Sequence, residues 1–179
     1  RWSVRRCWPA ADCERRRATS KRRHARRSTE TPAVRHILGQ AKAARGYAYF
    51  YLAQIFQRGY DANHPILPYY VGDVALNSAA KVPASQIYDL VISDLSQSVS
   101  LLGDFTRSNK GQMDKTVAQG LLAYAYAAVG DYASAKTHAD AVIAAGYPLT
   151  TTGQLAYPGA GSGFNDVNTA SWIWGFDLT

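Results

Sequence analysis

Residues 114–146, DKTVAQGLLAYAYAAVGDYASAKTHADAVIAAG, decide the fold, because they read as two helices joined by a short turn. Gly130 suits the left-handed conformation that ends many helices. Asp131 can accept hydrogen bonds from the first free N–H groups of the next helix. The spacing of apolar and small residues therefore predicts an antiparallel helical hairpin. The predicted inward faces are Val117, Leu121, Tyr124 and Ala128 in the first helix, and Tyr132, Ala135, Ala139, Val142 and Ile143 in the second.

The same hairpin resembles a tetratricopeptide repeat. Small residues and a late tyrosine, Ala118 and Tyr126, precede a Gly-x-Tyr-x-x-Ala sequence that begins at Gly130. A single repeat cannot bury its own faces, so it needs neighbouring helices. Two apolar segments upstream, residues 33–58 and 83–103, can supply them. We therefore predict an all-α fold of tetratricopeptide-like antiparallel helix pairs, an α-α superhelix.

The first upstream helix is predicted from Ala33 to Arg58, with a break near Gly39. It contains a tyrosine-rich stretch whose apolar residues fall on nearly every side. That pattern is typical of a helix buried by neighbours on several sides. We therefore expect alanine at Tyr47 or Tyr51 to unfold the protein.

The second upstream helix is predicted to open at Pro83, with Ser85 as its N-cap residue, and to close at Gly103. A loop rich in Pro, Gly, Asp and Asn, residues 60–82, joins the two helices. No strand is predicted in this part of the chain.

The net charge of +7 is concentrated at the amino end of the chain. Residues 1–30 carry eleven Lys and Arg against three acidic residues, whereas residues 31–179 carry nine against ten. Residues 31–179, the body of the chain, are near neutral and lack the excess of basic residues typical of a nucleic-acid-binding domain. No nucleic-acid partner is therefore predicted. Cys7 and Cys13 both lie in the basic stretch, so neither a disulfide nor a thiolate site is expected in the body.

Residues 1–32 are predicted to be a disordered basic tail, because they lack a helical apolar period. Three interpretations remain open. The tail could be an arm that binds phosphates, or a targeting peptide, although it has no apolar region of a secretory signal. The abrupt change of composition near Pro32 favours the third, a non-native sequence read out of frame.

Five segments, in order, resemble the SusD/RagB family. They are AKAARGYAYFYLAQIF at 41–56, PILPYY at 65–70, KVPASQIYDLVISDLSQSVSLL at 81–102, the hairpin at 115–149 and SWIWGFDLT at 171–179. The resemblance implies a lipid-anchored protein on the outer face of the outer membrane. Such a protein binds an oligosaccharide or other nutrient without cleaving it and works with a SusC-like TonB-dependent transporter.

The resemblance also sets expectations about the extent of the chain. Family members are much longer, so we expect an incomplete fragment of a larger SusD-like fold. The expected divisions are the tail at 1–32, a helical domain at 33–150 and an irregular segment at 151–179. The family's lipoprotein signal ends in a lipobox cysteine, and the residues before Cys7 do not form one.

Ligand contacts are predicted in the loop after the first helix, at Tyr69, Tyr70, Asn63 and Asp73. Aromatic rings on a proline-bounded loop can stack on sugars, while Asn and Asp can bond their hydroxyls. Alternatively, one tyrosine packs inward and anchors the loop. For Trp172 and Trp174, burial against the missing part of the longer fold is favoured over a sugar platform.

Neither a metal site, a cofactor nor an active site is predicted. His36, His64 and His138 have no metal-binding spacing and no cysteine partner in the body. Asp89 and Asp94 are five residues apart on one helix, so they do not form the facing pair that glycoside hydrolysis needs. The body also contains no glutamate. Three functions are weighed: a non-catalytic glycan- or nutrient-binding component of an uptake system, a generic protein-binding scaffold and, least favoured, an α-helical glycoside hydrolase.

Overall fold

The computed structural model describes residues 31–70, 79–156 and 166–176. Four long helices follow one another in these ranges, together with two short strands and a final short helix. They are α1 (Pro32–Phe56), β1 (Pro65–Pro68), β2 (Lys81–Pro83), α2 (Ala84–Leu101), α3 (Lys115–Ala128), α4 (Tyr132–Ala144) and α5 (Thr152–Ala156). The chain divides into two units, residues 1–37 and 38–179. Of the first unit only residues 31–37 are described, and the features below belong to the second.

Helix α1 is continuous, so the break predicted near Gly39 is wrong. Gly39 and Gly46 serve close packing against α2. A Cβ atom on Gly39 would lie 2.7 Å from Leu102 Cγ, and one on Gly46 would lie 2.9 Å from Leu95 Cγ. The buried positions of α1 form one stripe with helical spacing. They are Gly39, Ala43, Gly46, Phe50 and Ala53.

The prediction that α1 is buried on several sides is also wrong. The Tyr51 side chain is 50% exposed, and Leu52, Ile55 and Phe56 are exposed as well. The small residues of α1 determine which side is buried, because only they let the α2 backbone approach closely. The tyrosine-rich face beside this stripe is therefore left partly open within the described chain.

Strands β1 and β2 form an antiparallel pair that was not predicted. Each strand is three or four residues long, and prolines stand at Pro65, Pro68 and Pro83. Proline is depleted in strands and removes a hydrogen-bond donor, which is why the sequence suggested a loop. Ile66 and Leu67 are nevertheless buried and attach the pair to the helical core.

The start of α2 is held by the turn before β1. Pro83 is its N-cap residue and provides no side-chain cap. Instead, the Ala84 N–H donates to the His64 carbonyl at 2.9 Å, and the Ser85 N–H donates to the Ala62 carbonyl at 3.1 Å. Backbone carbonyls thus satisfy amide groups that a helix leaves free at its start. Ser85 is therefore not the N-cap residue that was predicted.

Helices α3 and α4 form the predicted hairpin. Gly130 has φ +86°, and the Asp131 side chain accepts from the Ser134 N–H at 3.0 Å, which confirms both parts of the turn. Asp114 caps α3 in the same way by accepting from the Val117 N–H.

The predicted faces of the hairpin are only partly right. Helix α3 contacts both α2 and α4 and buries five residues, Val117, Ala118, Leu121, Leu122 and Ala125. Tyr124, predicted to face inward, is 67% exposed. In α4 Ala135 is buried, whereas Tyr132 and Ile143 are mostly exposed. Among the described residues α4 packs closely on one helix, so most of its surface has no neighbour to bury it.

The predicted tail at 1–32 lies almost wholly outside the described residues. Helix α1 begins at Pro32, the last residue of the predicted tail, and the other three long helices lie between residues 33 and 150, whereas α5 falls in the segment predicted to be irregular. No helix in the described part is both long enough and apolar enough to span a bilayer.

Candidate functional site

A buried carboxylate, that of Asp94, joins α1 to α2. Asp94 is only 2% exposed, and Lys42 and Arg45 of α1 both contact it. Lys42 Nζ donates to Asp94 Oδ1 at 2.9 Å. Arg45 binds with two nitrogens, Nε to Oδ2 at 2.5 Å and Nη2 to Oδ1 at 2.9 Å. This two-pronged geometry fixes the rotation of α1 relative to α2.

The hydrogen bonds around Asp94 keep it ionised. Burial by itself raises the pKa of a carboxyl group, but the hydrogen bonds from Arg45 and Lys42 outweigh burial and lower the pKa of Asp94 below its usual value. The bond to Asp94 likewise raises the pKa of Arg45, in spite of partial burial. Asp94 is therefore a structural anion with three donors. Asp89 is exposed, so the two carboxylates do not form a pair.

Tyr70 anchors the end of β1. Its N–H donates to the Tyr49 hydroxyl at 3.0 Å, and its own hydroxyl accepts from the Ala79 N–H at 3.3 Å. These bonds tie residues on both sides of segment 71–78 to each other and to α1. Tyr70 thus has the geometry of the anchoring tyrosine considered from the sequence.

Tyr69 faces outward beside this anchor. Its side chain is 37% exposed, and its phenol contributes, after the hydrogen bond from Arg45 to Asp94, to the raised pKa of the Arg45 guanidinium. Tyr69 thus presents a partly open ring whose polar end lies near a cation fixed by Asp94. This combination suits a ligand with both an apolar face and hydroxyl groups.

The other two predicted contacts are not brought to Tyr69 by the described structure. Asn63 lies in the turn before β1, where its N–H donates to the Asp61 side chain at 3.1 Å. The strand Pro65–Pro68 separates Asn63 from Tyr69 along the chain, so the two residues flank opposite ends of β1. Asp73 lies outside the described residues. The structure thus places Tyr69 and Tyr70 next to each other and Asn63 elsewhere.

The tryptophan-containing segment packs on the loop between α2 and α3. Arg107 donates to the Ile173 carbonyl at 2.5 Å and to the Tyr147 hydroxyl at 2.6 Å, and it forms an ion pair with Asp114 at 3.1 Å. Trp174 Nε1 donates to the Gly111 carbonyl at 3.1 Å.

The Trp174 ring also meets the tyrosine-rich face of α1. It contacts Tyr47 edge-on, with ring centroids 4.9 Å apart. Trp174 is thus used in packing within the chain, whereas the sequence suggested burial against the missing part of the longer fold. Burial raises the pKa of the Tyr47 hydroxyl above the usual tyrosine value.

Metal-ligating side chains do not cluster in groups of three within residues 31–70, 79–156 and 166–176. His138 instead stacks on Tyr126, with ring planes 4° apart. The Lys42–Arg45–Asp94 ion pair was not predicted, although Asp94 was noted. A possible signal was the pair of cations three residues apart on α1, opposite a carboxylate within the apolar stripe of α2.

A family model, SusD-like_3, described as starch-binding associating with outer membrane, matches residues 20–128. The chain belongs to the SusD-like family. A SusD-like carbohydrate-binding protein of Bacteroides vulgatus is 28% identical, with a TM-score of 0.74 over 83% of this chain. A SusD superfamily protein of Bacteroides thetaiotaomicron is 26% identical, with a TM-score of 0.61 over 69% of this chain. No curated protein matches the sequence.

The chain spans 32% of the Bacteroides vulgatus protein and 28% of the Bacteroides thetaiotaomicron protein. A SusD-like carbohydrate-binding protein of Bacteroides fragilis shares the fold at 16% identity, with a TM-score of 0.57 over 70% of this chain and 25% of its own. The resemblance to SusD/RagB proteins and the predicted all-α, helix-pair fold are therefore confirmed.

Proposed function

We propose that this chain is the helical part of a non-catalytic glycan-binding component of an outer-membrane uptake system. The observation that carries the proposal is the match, over 83% of the chain, to a SusD-like carbohydrate-binding protein. In the full-length parent the protein is lipid-anchored on the outer face of the outer membrane. It delivers an oligosaccharide or other nutrient to a SusC-like TonB-dependent transporter.

Tyr69 is the proposed sugar contact among the described residues. Its ring is partly open, and two features limit its movement. The strand pair holds the backbone before it, and the Tyr70 hydrogen bonds hold the backbone after it. A ring held in this way stacks on a sugar at little cost in conformational entropy.

The state of Asp94 supports a binding role over hydrolysis at this place. A general acid must carry a proton near neutral pH, which requires a raised pKa. Asp94 has a lowered pKa, and three hydrogen bonds occupy its oxygens. It can position Arg45, but at neutral pH it has no proton to give to a glycosidic oxygen.

The binding test uses maltooligosaccharides, because the matching family model is described as starch-binding. Titration calorimetry of the chain should detect binding, and Tyr69→Ala should weaken it about tenfold, since an aromatic stacking contact is lost. Tyr132→Ala removes a tyrosine that is 73% exposed on α4 and serves as the matched control. Equal affinity of the two variants would remove Tyr69 from the site. Sustained release of reducing ends would contradict the non-catalytic role.

A second candidate, a protein-binding scaffold, is favoured by the exposed apolar residues of α3 and α4. Tyr124, Tyr132 and Ile143 are each about two-thirds exposed or more. The discriminating measurement compares binding to an oligosaccharide with binding to a purified SusC-like barrel. A generic scaffold would bind no oligosaccharide, and its protein binding would weaken in the Ile143→Ala variant and be unaffected in Tyr69→Ala.

A further inference from the structure

Two cations of α1 share a single buried carboxylate. Lys42 and Arg45 both bond to Asp94, and among the described residues no other acidic side chain lies within ion-pair distance of either cation. The cluster therefore has one positive charge more than it has negative charges. The side chain of Arg45 is 36% exposed and that of Lys42 is 19% exposed, against 2% for Asp94. The uncompensated charge thus lies on the solvent side of the cluster.

Arg45 is the cation that keeps free donors in a fixed arrangement. A guanidinium has five N–H groups in a planar fork. Asp94 occupies one edge of this fork, through Nε at 2.5 Å and Nη2 at 2.9 Å. Within the part of the chain that the structure describes, Nη1 makes no hydrogen bond, so the edge formed by Nη1 and the second N–H of Nη2 stays open. A second carboxylate fits such an edge with two parallel hydrogen bonds.

Arg45 and the loop that carries Tyr69 meet on one face of α1. Residues 42, 45 and 49 follow at intervals of three and four, which places their side chains on the same face of a helix. The Tyr49 hydroxyl on that face accepts from the Tyr70 N–H at 3.0 Å. The backbone next to Tyr69 is therefore attached to α1 one turn after Arg45. In keeping with this placement, the phenols of Tyr69 and Tyr49 contribute, after Asp94, to the raised pKa of Arg45.

We propose that the glycan recognised at Tyr69 carries a carboxylate, as in a uronic acid, and that Arg45 binds this carboxylate. The inference rests on the proposed function, because it names the class of sugar that the same site takes. The C–H face of the sugar stacks on the Tyr69 ring, and the carboxylate bonds to the open edge of Arg45. Two carboxylates then balance two cations. A neutral sugar leaves one charge uncompensated, so the site favours an acidic glycan.

The test compares two ligands that differ only at C6. Methyl β-D-glucuronide has a carboxylate there, and methyl β-D-glucoside has a hydroxymethyl group. NMR titration of the chain, followed at the Tyr70 backbone N–H signal, gives a Kd for each. We expect the glucuronide to bind about tenfold more tightly, since hydrogen bonds between charged groups are worth more than neutral ones. Raising the salt concentration from about 0.05 M to about 0.5 M should weaken binding of the glucuronide alone.

Two variants separate the contribution of the charge from that of the ring. Arg45→Gln should raise the Kd of the glucuronide about tenfold and leave that of the glucoside unchanged. This variant keeps Lys42 as the counter-charge of Asp94, so the buried carboxylate is not left unpaired. Tyr69→Ala should weaken both ligands, because both lose the stacking contact. Lys136→Gln removes an exposed cation of α4 that also pairs with an aspartate, and it should change neither Kd.

The native chain keeps the test decisive if Arg45→Gln fails to fold. Equal Kd values for the two glycosides would overturn the inference, and so would a glucuronide Kd that does not respond to salt. Cyclohexanecarboxylate, which has the carboxylate on a ring without hydroxyl groups, is the probe control. If it binds as tightly as the glucuronide, the inference is also overturned, because the site would then take any carboxylate.

The failures of this inference and of the proposed function can be told apart. If maltooligosaccharides bind in a Tyr69-dependent manner while the two methyl glycosides bind equally, the acidic-sugar inference falls and the glycan-binding function stands. If the glucuronide binds through Arg45 but the chain releases methanol from it, the preference stands and the non-catalytic role falls. If neither glycoside nor any maltooligosaccharide binds, both are overturned.

Discussion

Asp94 shows how much of this fold depends on a single residue. It is nearly fully buried between α1 and α2, and its charge is balanced by two cations from α1. Removing one partner of a buried ion pair destabilises more than the pair itself contributes, because the remaining charge is left uncompensated.

Asp94→Asn is expected to lower the free energy of unfolding by about 3 kcal/mol, since Lys42 and Arg45 lose their counter-charge. Urea unfolding followed by circular dichroism measures this difference. Asp89→Asn makes the same change at an exposed position of the same helix and should stay within about 0.5 kcal/mol. Similar losses in both variants would refute the special role of Asp94.

The same residue predicts a dependence of stability on acidity. The pKa of Asp94 is lower in the folded state than in the unfolded state, so the unfolded chain binds the proton more readily. The stability from Asp94 is therefore present above about pH 4, the usual Asp value, and is lost as the pH falls through the folded pKa. Asp131 also has a lowered pKa, caused by its hydrogen bonds to Ser134, and acts in the same direction.

Thermal unfolding between pH 2 and pH 7 tests this dependence. The native chain should lose stability steeply on acidification, and the Asp94→Asn variant should lose less over the same interval. Parallel curves would mean that Asp94 titrates alike in the folded and unfolded states.

At the level of elements, small residues determine how the helices approach. Gly46 lets α1 lie against Leu95 of α2, which is fully buried. Gly120 of α3 has no such contact, because the nearest atom to a Cβ placed there is Val142 Cγ2 at 3.9 Å. The two glycines thus have the same chemistry and different surroundings.

We therefore expect opposite effects of alanine at these positions. Gly46→Ala should destabilise by about 1 kcal/mol, because overpacking outweighs the gain in helix propensity. Gly120→Ala should stabilise by about 0.5–1 kcal/mol, since the gain in helix propensity there is not offset by a steric clash. Chemical denaturation of both variants measures the contrast, and stabilisation by Gly46→Ala would show that α1 and α2 can separate at no cost.

The elements also show what could be predicted from the sequence. The α3–α4 hairpin was predictable because its signals, Gly130 and Asp131, act on neighbouring residues. The β1–β2 pair was not, because its partners lie far apart in the chain and contain prolines. The exposure of Tyr51 was not predictable either, since the glycines that select the buried side of α1 act through contacts with α2.

In the candidate site, too, the residues marked by local sequence signals were predictable, whereas the contacts between distant residues were not. Tyr69 and Tyr70 stood out through their place after Pro68. Which of the two tyrosines is anchored and which stays partly open depends on hydrogen bonds with Tyr49 and Ala79. No local sequence pattern identifies those two partners.

At the level of the whole described chain, Arg107 connects distant segments. It joins Asp114 at the start of α3 to Tyr147 after α4 and to Ile173 in the final segment. The Arg107–Asp114 pair is largely buried, whereas Lys136 and Asp140 form an ion pair on the surface of α4. Buried hydrogen bonds of a charged group are worth more than an exposed pair.

Arg107→Ala is expected to speed amide hydrogen exchange in residues 166–176 at least tenfold, while exchange in α2 changes little. The reason is that hydrogen bonds of a charged donor to that segment and to Tyr147 are lost together. Lys136→Ala, which removes an exposed ion pair, should leave exchange unchanged and shift stability by less than about 0.5 kcal/mol. Unaltered exchange in Arg107→Ala would show that the hydrogen bonds of Trp174 and Lys110 hold the segment without Arg107.

The anchoring of Tyr70 has a consequence for the diversification of this fold. Residues 70 and 79 are joined by a hydrogen bond and held at either side by paired strands, so the ends of the intervening peptide are fixed by the scaffold. Closing a longer loop between fixed ends costs only about 0.6 kcal/mol for each doubling of its length. Insertions between residues 70 and 79 are therefore expected to cost the helical framework little free energy of unfolding.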